Sequence, residues 1–229
     1  MAPQQSKSSL FVYPDTAKFG RVLPKNKIYE HGRPSTAVKN MFVRQVEQIV
    51  WQYKLSSETV NVRPSRAVTE IQLFRITLKN GELKKDVLRC IDRAIPYPIL
   101  FELCFNEKIQ VVGAYKRPSE ADSAKWVVGD YFETSWLSDD IPRTPLPVVL
   151  NLEALYAGLL RPLMPYPARA GERLKTYVER MEKILARQRE MEKVTTQLKK
   201  EKQFNRKVEI NQKSRTLTKE IEKLTKVEA

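Results

Sequence analysis

Cysteine and histidine are scarce in this sequence, and their scarcity excludes several kinds of site. The only cysteines among the 229 residues are Cys90 and Cys104, and the only histidine is His31. A disulfide framework or a Cys/His zinc site needs more such residues at closer spacing. Seven glycines occur, and they form neither of the two common glycine-rich phosphate-binding loops. We therefore expect no metal, no cofactor and no catalytic residues of a familiar type.

Long apolar runs are also missing. No stretch reaches the roughly 20 apolar residues that a transmembrane helix needs. The first ten residues, MAPQQSKSSL, lack the apolar segment of a signal peptide. The expectation is a cytoplasmic protein with no membrane partner.

Positive charge is what the sequence has in excess. Lysine and arginine number 41 against 27 acidic residues, which gives a formal net charge of +14. Such an excess favours anionic partners, with nucleic acid as the first candidate. The alternative is a generic basic protein whose charge serves only its solubility.

Residues 1–167 alternate between strand patterns and helix patterns. Hydrophobic residues make up 41% of the chain, enough for one substantial core. Period-2 alternation predicts strands near residues 48–56, 68–79, 99–105, 108–116 and 126–137. Helical periodicity predicts helices near 36–46, 82–95 and 152–163, the first and third with Ser35 and Asn151 as N-caps. Residues 10–34, with three prolines, predict only short extended pieces. We expect an α+β domain whose mixed, mainly antiparallel sheet has helices on one face.

Residues 168–229 form a charged tail with helical periodicity. The tail holds 18 lysines and arginines against 10 acidic residues, and Gly171 is its only glycine. Apolar side chains recur at heptad spacing in two phases, and this seam is predicted to bind a partner. The predicted partner-binding residues are Leu174, Tyr177, Met181, Ile184, Met191, Leu198, Phe204, Val208, Leu217, Ile221 and Leu224.

The change of phase in the tail has two interpretations. One is a single long helix with a discontinuity, and the other is a helical hairpin. Because no glycine or proline marks a turn, we expect one continuous helix, kinked at the phase change. Another protein, a second copy in a homodimeric coiled coil, or the chain itself would cover the seam.

The densest basic cluster lies at the phase change. Lysines and an arginine at that spacing can contact the phosphates of DNA and release counterions. The alternative is a solvated helix surface. A second candidate is the end of a strand, where two cations follow Tyr115, although edge lysines also discourage aggregation. The predicted nucleic-acid-binding residues are Lys199, Lys200, Lys202, Arg206, Lys207, Lys116 and Arg117.

Glu102 is the carboxylate that would be most costly to bury, because it stands in an apolar strand. If the protein is a metal-dependent nuclease whose motif has diverged, Glu102 is the carboxylate whose replacement should abolish cleavage. A structural ion pair with Lys116 across the hairpin is the alternative role for this side chain.

Several segments together resemble a known family. They are PKNKIYE, VWQYKLSSETVNV, EIQLF, IPYPILFEL, VVGAYKR and KKEKQFNRKVEIN. The sequence resembles the bacterial and archaeal family catalogued as domain of unknown function 4391. Its most specific parts are Tyr53, Lys54, Leu55, Thr59 and Asn61, and the segment from Gln203 to Lys207. Members of that family look as if they are encoded beside DNA methyltransferases and superfamily-2 helicases, in restriction or antiphage islands.

The resemblance implies a non-catalytic accessory subunit, an adaptor that binds DNA together with a helicase or a DNA methyltransferase. It transfers no catalytic residues. A divergent metal-dependent DNA nuclease is one alternative. A coiled-coil scaffold or assembly factor without nucleic-acid contact is the other, and a homodimer formed through the tail belongs with it.

Overall fold

The computed structural model describes residues 10–122 and 125–226, which fall into two compact units divided between Met164 and Pro165. The strands of the first unit are β1 Phe11–Val12, β2 Lys18–Val22, β3 Val46–Ser56, β4 Glu70–Leu78, β5 Ile99–Phe105, β6 Lys108–Pro118, β7 Trp126–Glu133, β8 Leu137–Ser138 and β9 Thr144–Pro145. Its helices are α1 Lys25–Gly32, α2 Thr36–Gln45, α3 Ser57–Val60, α4 Lys85–Ala94 and α5 Leu152–Leu160. The second unit contains α6 Leu174–Lys200 and α7 Phe204–Thr225.

A seven-stranded sheet forms the centre of the first unit. Its strand order is β2-β3-β4-β5-β6-β7, with β8 also paired to β6. All neighbours are antiparallel except β4 and β5, which run parallel and are connected through α4. Strands β1 and β9 make a separate parallel pair. The predicted α+β class with a mixed, mainly antiparallel sheet is confirmed.

A tight turn and two helix caps show how local sequence sets the ends of these elements. Asn106 and Glu107 connect β5 to β6 with φ values of 45° and 58°, the left-handed conformation of a two-residue hairpin turn. The Ser35 hydroxyl accepts a hydrogen bond from the Val38 N–H, and the Asn151 side chain accepts one from the Ala154 N–H at 2.8 Å. Both residues are the predicted N-caps.

The main core lies between one face of the sheet and helices α1, α2 and α4. Phe42 of α2, Ile91 of α4 and Phe101 of β5 are among its fully buried side chains. The buried positions of α4 recur at helical spacing, so one stripe of this helix faces the sheet.

The opposite face of the sheet is covered by α5. Val112 and Ala114 belong to the main core, so Gly113 between them faces the other side. A Cβ atom at Gly113 would come within 2.8 Å of Leu160 and 3.1 Å of Leu163. The expectation of helices on one face alone is therefore wrong.

Helix α1 was not expected from the sequence, because its segment contains three prolines. Pro24 precedes the first residue of the helix, and the chain leaves the helix at Arg33 in the left-handed conformation. Proline at a helix start costs no hydrogen bond, so the prolines bound this helix and do not prevent it. At Gly32 a Cβ atom would lie 2.6 Å from the Cys90 carbonyl oxygen, so only glycine allows this approach of α1 to α4.

The second unit is an antiparallel helical hairpin. Helix α6 ends at Lys200, Glu201 and Gln203 have extended backbone, and α7 packs back along α6. The Arg187 side chain forms an ion pair with Glu220 at 2.7 Å, and Lys213 forms one with Glu190 at 2.8 Å. The expected continuous helix is wrong and the hairpin, the other interpretation, is confirmed. Reversal of the chain lets the apolar positions of the two helices pack against each other.

None of the described helices combines the length and the apolar character that a membrane span requires.

Candidate nucleic-acid interface

The turn of the helical hairpin concentrates unpaired positive charge. We call the five cations around it the basic tip: Lys199, Lys200, Lys202, Arg206 and Lys207. All five side chains are exposed. Within residues 10–122 and 125–226, none of them forms an ion pair. Their ammonium and guanidinium groups are therefore available to an external anion.

Glu201 is the only acid between Lys199 and Lys207, and its carboxylate is engaged by the backbone. One oxygen accepts hydrogen bonds from the N–H groups of Lys202 and Gln203, each at 2.8 Å. These two bonds lower the pKa of Glu201. The carboxylate thus holds the turn in shape. Arg206 and Lys207 also help to lower the pKa of Glu201, although neither forms an ion pair with it.

Some cations along the body of the hairpin are in a different situation, because they form ion pairs. Arg187 pairs with both Glu190 and Glu220. Arg180 is buried and forms two hydrogen bonds with Glu172, at 2.7 and 2.8 Å. Opposite charges are interleaved along the helices, whereas the tip has a surplus of one sign. The local surplus of positive charge is what sets the tip apart, because exposed cations of the body such as Lys183, Lys193 and Lys219 also form no ion pair in the described chain.

Two apolar side chains stand exposed beside the basic tip. Phe204 begins α7 and is 79% exposed, and Val208, one turn later, is 51% exposed. Residues three and four apart lie on the same side of a helix, so Phe204, Lys207 and Val208 form one continuous surface. The structure thus places an aromatic ring next to cations at the end of the hairpin.

The predicted partner-binding seam divides into two groups. Five of its side chains are buried within the isolated chain, so the expectation that they offer a face to another molecule is wrong. They are Leu174, Tyr177, Met181, Ile184 and Leu217. Met191, Leu198, Ile221 and Leu224 are partly buried. Only Phe204 and Val208 among the predicted residues are exposed, and Val194, which the heptad pattern omitted, is buried.

Lys116 was predicted to bind nucleic acid, and the structure contradicts this. Its side chain is 1% exposed. Its ammonium donates hydrogen bonds to the carbonyl oxygens of Asp92 at 2.6 Å and Ile95 at 2.5 Å, and to the Asp92 carboxylate at 3.2 Å. The Tyr131 hydroxyl donates to the other carboxylate oxygen. Burial raises the pKa of Asp92, and the adjacent Lys116 ammonium opposes that shift.

Arg117, next in sequence, is partly exposed and forms an ion pair with Glu120 at 3.7 Å. It belongs to the first unit, whereas the basic tip belongs to the second. A contact of Arg117 with nucleic acid stays a prediction.

Glu102 is buried, but its partner is not the predicted Lys116. Its two oxygens accept hydrogen bonds from the Arg143 guanidinium, at 2.7 and 3.4 Å. This bidentate contact occupies the carboxylate. In the described part of the chain, no group of three His, Cys, Asp or Glu side chains is arranged to hold a metal ion. The nuclease alternative therefore gains no assembled carboxylate site from the fold.

A family model described as domain of unknown function (DUF4391) matches residues 11–221. The chain belongs to this family. No curated protein and no solved structure matches the chain. The DUF4391 description names no activity, so the geometry of the basic tip is what bears on function.

The sequence of this DUF4391 chain revealed the cations of the basic tip. It did not reveal that they lie at a chain reversal beside an exposed aromatic ring. A dense basic cluster is visible in any one-dimensional scan, whereas Phe204 was assigned to a protein-binding seam. The phase change at the same position was the available signal for a turn. Whether that phase change marks a turn or a kink depends on how the two helices pack, and heptad spacing alone does not specify this.

Proposed function

We propose that this protein is a non-catalytic, DNA-binding accessory subunit and that the basic tip is its DNA contact. The observation that carries the proposal is the group of five exposed cations without ion pairs at the end of a hairpin. A helical hairpin that buries most of its own apolar seam is a stable unit, so the charges at its turn are held together. Phosphate oxygens are the ligands that such a surface attracts most strongly.

The expected binding is steeply salt-dependent and tolerant of sequence. Each phosphate neutralised on duplex DNA contributes about −0.9 to the slope of log K against log salt. Five contacts would therefore give a slope of about −4 to −5. Because lysine and arginine on phosphates do not read base edges, affinity should vary little between sequences of equal length.

The experiment compares two variants of the full chain that lose the same charge. The tip variant replaces Lys199, Lys200, Lys202, Arg206 and Lys207 with glutamine. The control variant replaces five exposed cations from the body of the hairpin, four lysines and one arginine as in the tip: Lys183, Lys193, Arg215, Lys219 and Lys223. Affinity for a duplex of fixed length is measured by fluorescence anisotropy at several salt concentrations.

We expect the tip variant to bind weakly and with a slope close to zero, because the groups that release counterions are gone. The control variant should keep most of the wild-type slope. Equal slopes for the two variants would show that net charge alone attracts DNA and would contradict the proposal.

The partner part of the proposal rests on the family resemblance, which implies restriction or antiphage defence. In this account a helicase or a DNA methyltransferase binds the first unit while the basic tip holds DNA. Val148 and Leu150, which are 103% and 89% exposed, support a docking surface there. Co-purification of the tagged full chain from its own cells tests this part. If neither enzyme is recovered, the partner part of the proposal is wrong, whereas the proposed DNA contact is unaffected.

A further inference from the structure

We propose that the Phe204 ring stacks on an unpaired base, so that the basic tip prefers single-stranded DNA to duplex DNA. This inference rests on the proposed function and specifies which form of DNA the same surface binds.

The position of Phe204 is the first observation. The residue begins α7, directly after the connecting residues 201–203, and is 79% exposed. Among the described residues no other aromatic ring stacks on it. A phenyl ring in water gains from any flat apolar surface that covers it. Since the ring stands at the turn, such a surface can approach it from outside the hairpin.

The charges around the ring identify the kind of molecule that covers it. Lys207 lies one turn along the same side of α7, and Lys202 and Arg206 stand two residues before and after Phe204. The segment from Lys199 to Lys207 has five cations and one acid. A neutral apolar groove would have to desolvate those cations without a counter-charge. A nucleotide supplies a flat base for the ring and a phosphate for a neighbouring cation.

Base pairing decides between the two forms of DNA. In a duplex the base faces are already stacked, so the ring meets a base face only if the helix is opened. In single-stranded DNA every base has a free face, and proteins that bind it combine aromatic platforms with a basic surface. Val208, half-exposed beside Phe204, extends the platform. The tip therefore has both components of a single-strand contact.

The test measures the affinity of the full chain for a 20-nucleotide oligo-dT and for a 20-base-pair duplex at one salt concentration. Three variants are compared with the wild type: Phe204→Ala, Phe204→Trp and the five-glutamine tip variant. Because Phe204 is exposed, its replacement should leave folding intact, and circular dichroism verifies this for each variant.

We expect wild type to favour the oligo-dT and Phe204→Ala to lose about tenfold of that affinity, with little change for the duplex. Phe204→Trp should keep the single-strand affinity, because the larger ring also stacks.

Three contradicting results are possible, and each would overturn a different claim. If the duplex binds as tightly as the oligo-dT and Phe204→Ala changes neither, the stacking inference is wrong while the basic tip remains a DNA contact. If Phe204→Ala weakens the duplex more, the ring acts as an intercalating wedge, and the single-strand preference is wrong. If wild type binds neither DNA, the proposed function itself fails.

Discussion

At the scale of single residues, charge in this chain has two distinct uses. Lys116 and Asp92 form a buried ion pair, with Tyr131 completing the carboxylate's hydrogen bonds. The cations of the basic tip have no such partner within the described residues. The sequence did not separate these uses, because Asp92 lies 24 positions from Lys116 and only the fold brings them together. The N-caps Ser35 and Asn151 were predictable, since a cap acts on residues three positions away.

The buried pair makes a prediction about stability. Lys116→Met leaves the Asp92 carboxylate buried without a cation, which should lower the free energy of unfolding by about 3–5 kcal/mol. Lys116→Met combined with Asp92→Asn removes both charges and keeps an acceptor for Tyr131. This double variant should recover a substantial part of the loss, as measured by urea unfolding. Arg117→Met is the control, with an expected change of about 0.5 kcal/mol or less. A double variant as unstable as the sum of its two single changes would contradict the pair's role.

At the scale of helices and strands, local patterns predicted what each segment is but not where it packs. The five long strands and helices α2, α4 and α5 appear where period-2 and period-3.6 patterns placed them. Helix α1 was missed because proline was taken as a breaker at a position where it begins a helix. The tail was correctly predicted to be helical. Its chain reversal was not predicted, because it depends on how the apolar positions of the two helices pack against each other. Neither glycine nor proline is required when a capping glutamate such as Glu201 satisfies the turn.

Glu172 and Arg180 should make the hairpin sensitive to acid. The Arg180 guanidinium also donates to the carbonyl oxygens of Pro167 and Leu224, so it joins the start of the tail to the end of α7. Its hydrogen bonds lower the pKa of Glu172. A carboxyl whose pKa is lowered by folding stabilises the fold above its unfolded value, about 4.3. That contribution is lost as the pH falls through the folded value.

The measurement compares wild type with Glu172→Gln between pH 7 and pH 2.5, using hydrogen exchange of the α7 amides. At pH 7 the variant should be less stable by about 1.5–3 kcal/mol, the value of a hydrogen bond to a charged group. The difference should shrink as the wild-type carboxyl is protonated. A difference that stays constant across this range would contradict the electrostatic role of Glu172.

At the scale of the whole molecule, the chain separates a compact α+β unit from a hairpin that ends in unpaired charge. The overall excess of +14 predicted an anionic partner without locating it. The family match covers both units and names no activity. The fold places the densest group of unpaired cations at the hairpin turn, whereas the cations of the hairpin body alternate with acids along the helices. The central claim of this account is that DNA meets the chain at the hairpin turn.

A photo-crosslinker placed at single positions of the full chain tests that claim most directly. Asn205, exposed among the cations of the tip, is compared with Thr218, exposed on the body of α7, and with Glu58 in the first unit. Each residue is replaced with benzoylphenylalanine, and crosslinking to labelled oligo-dT and to duplex DNA is quantified at low and high salt. We expect strong, salt-sensitive crosslinking from position 205 and little from positions 218 and 58. Crosslinking that is strongest from position 58, or equal at all three positions, would contradict the account.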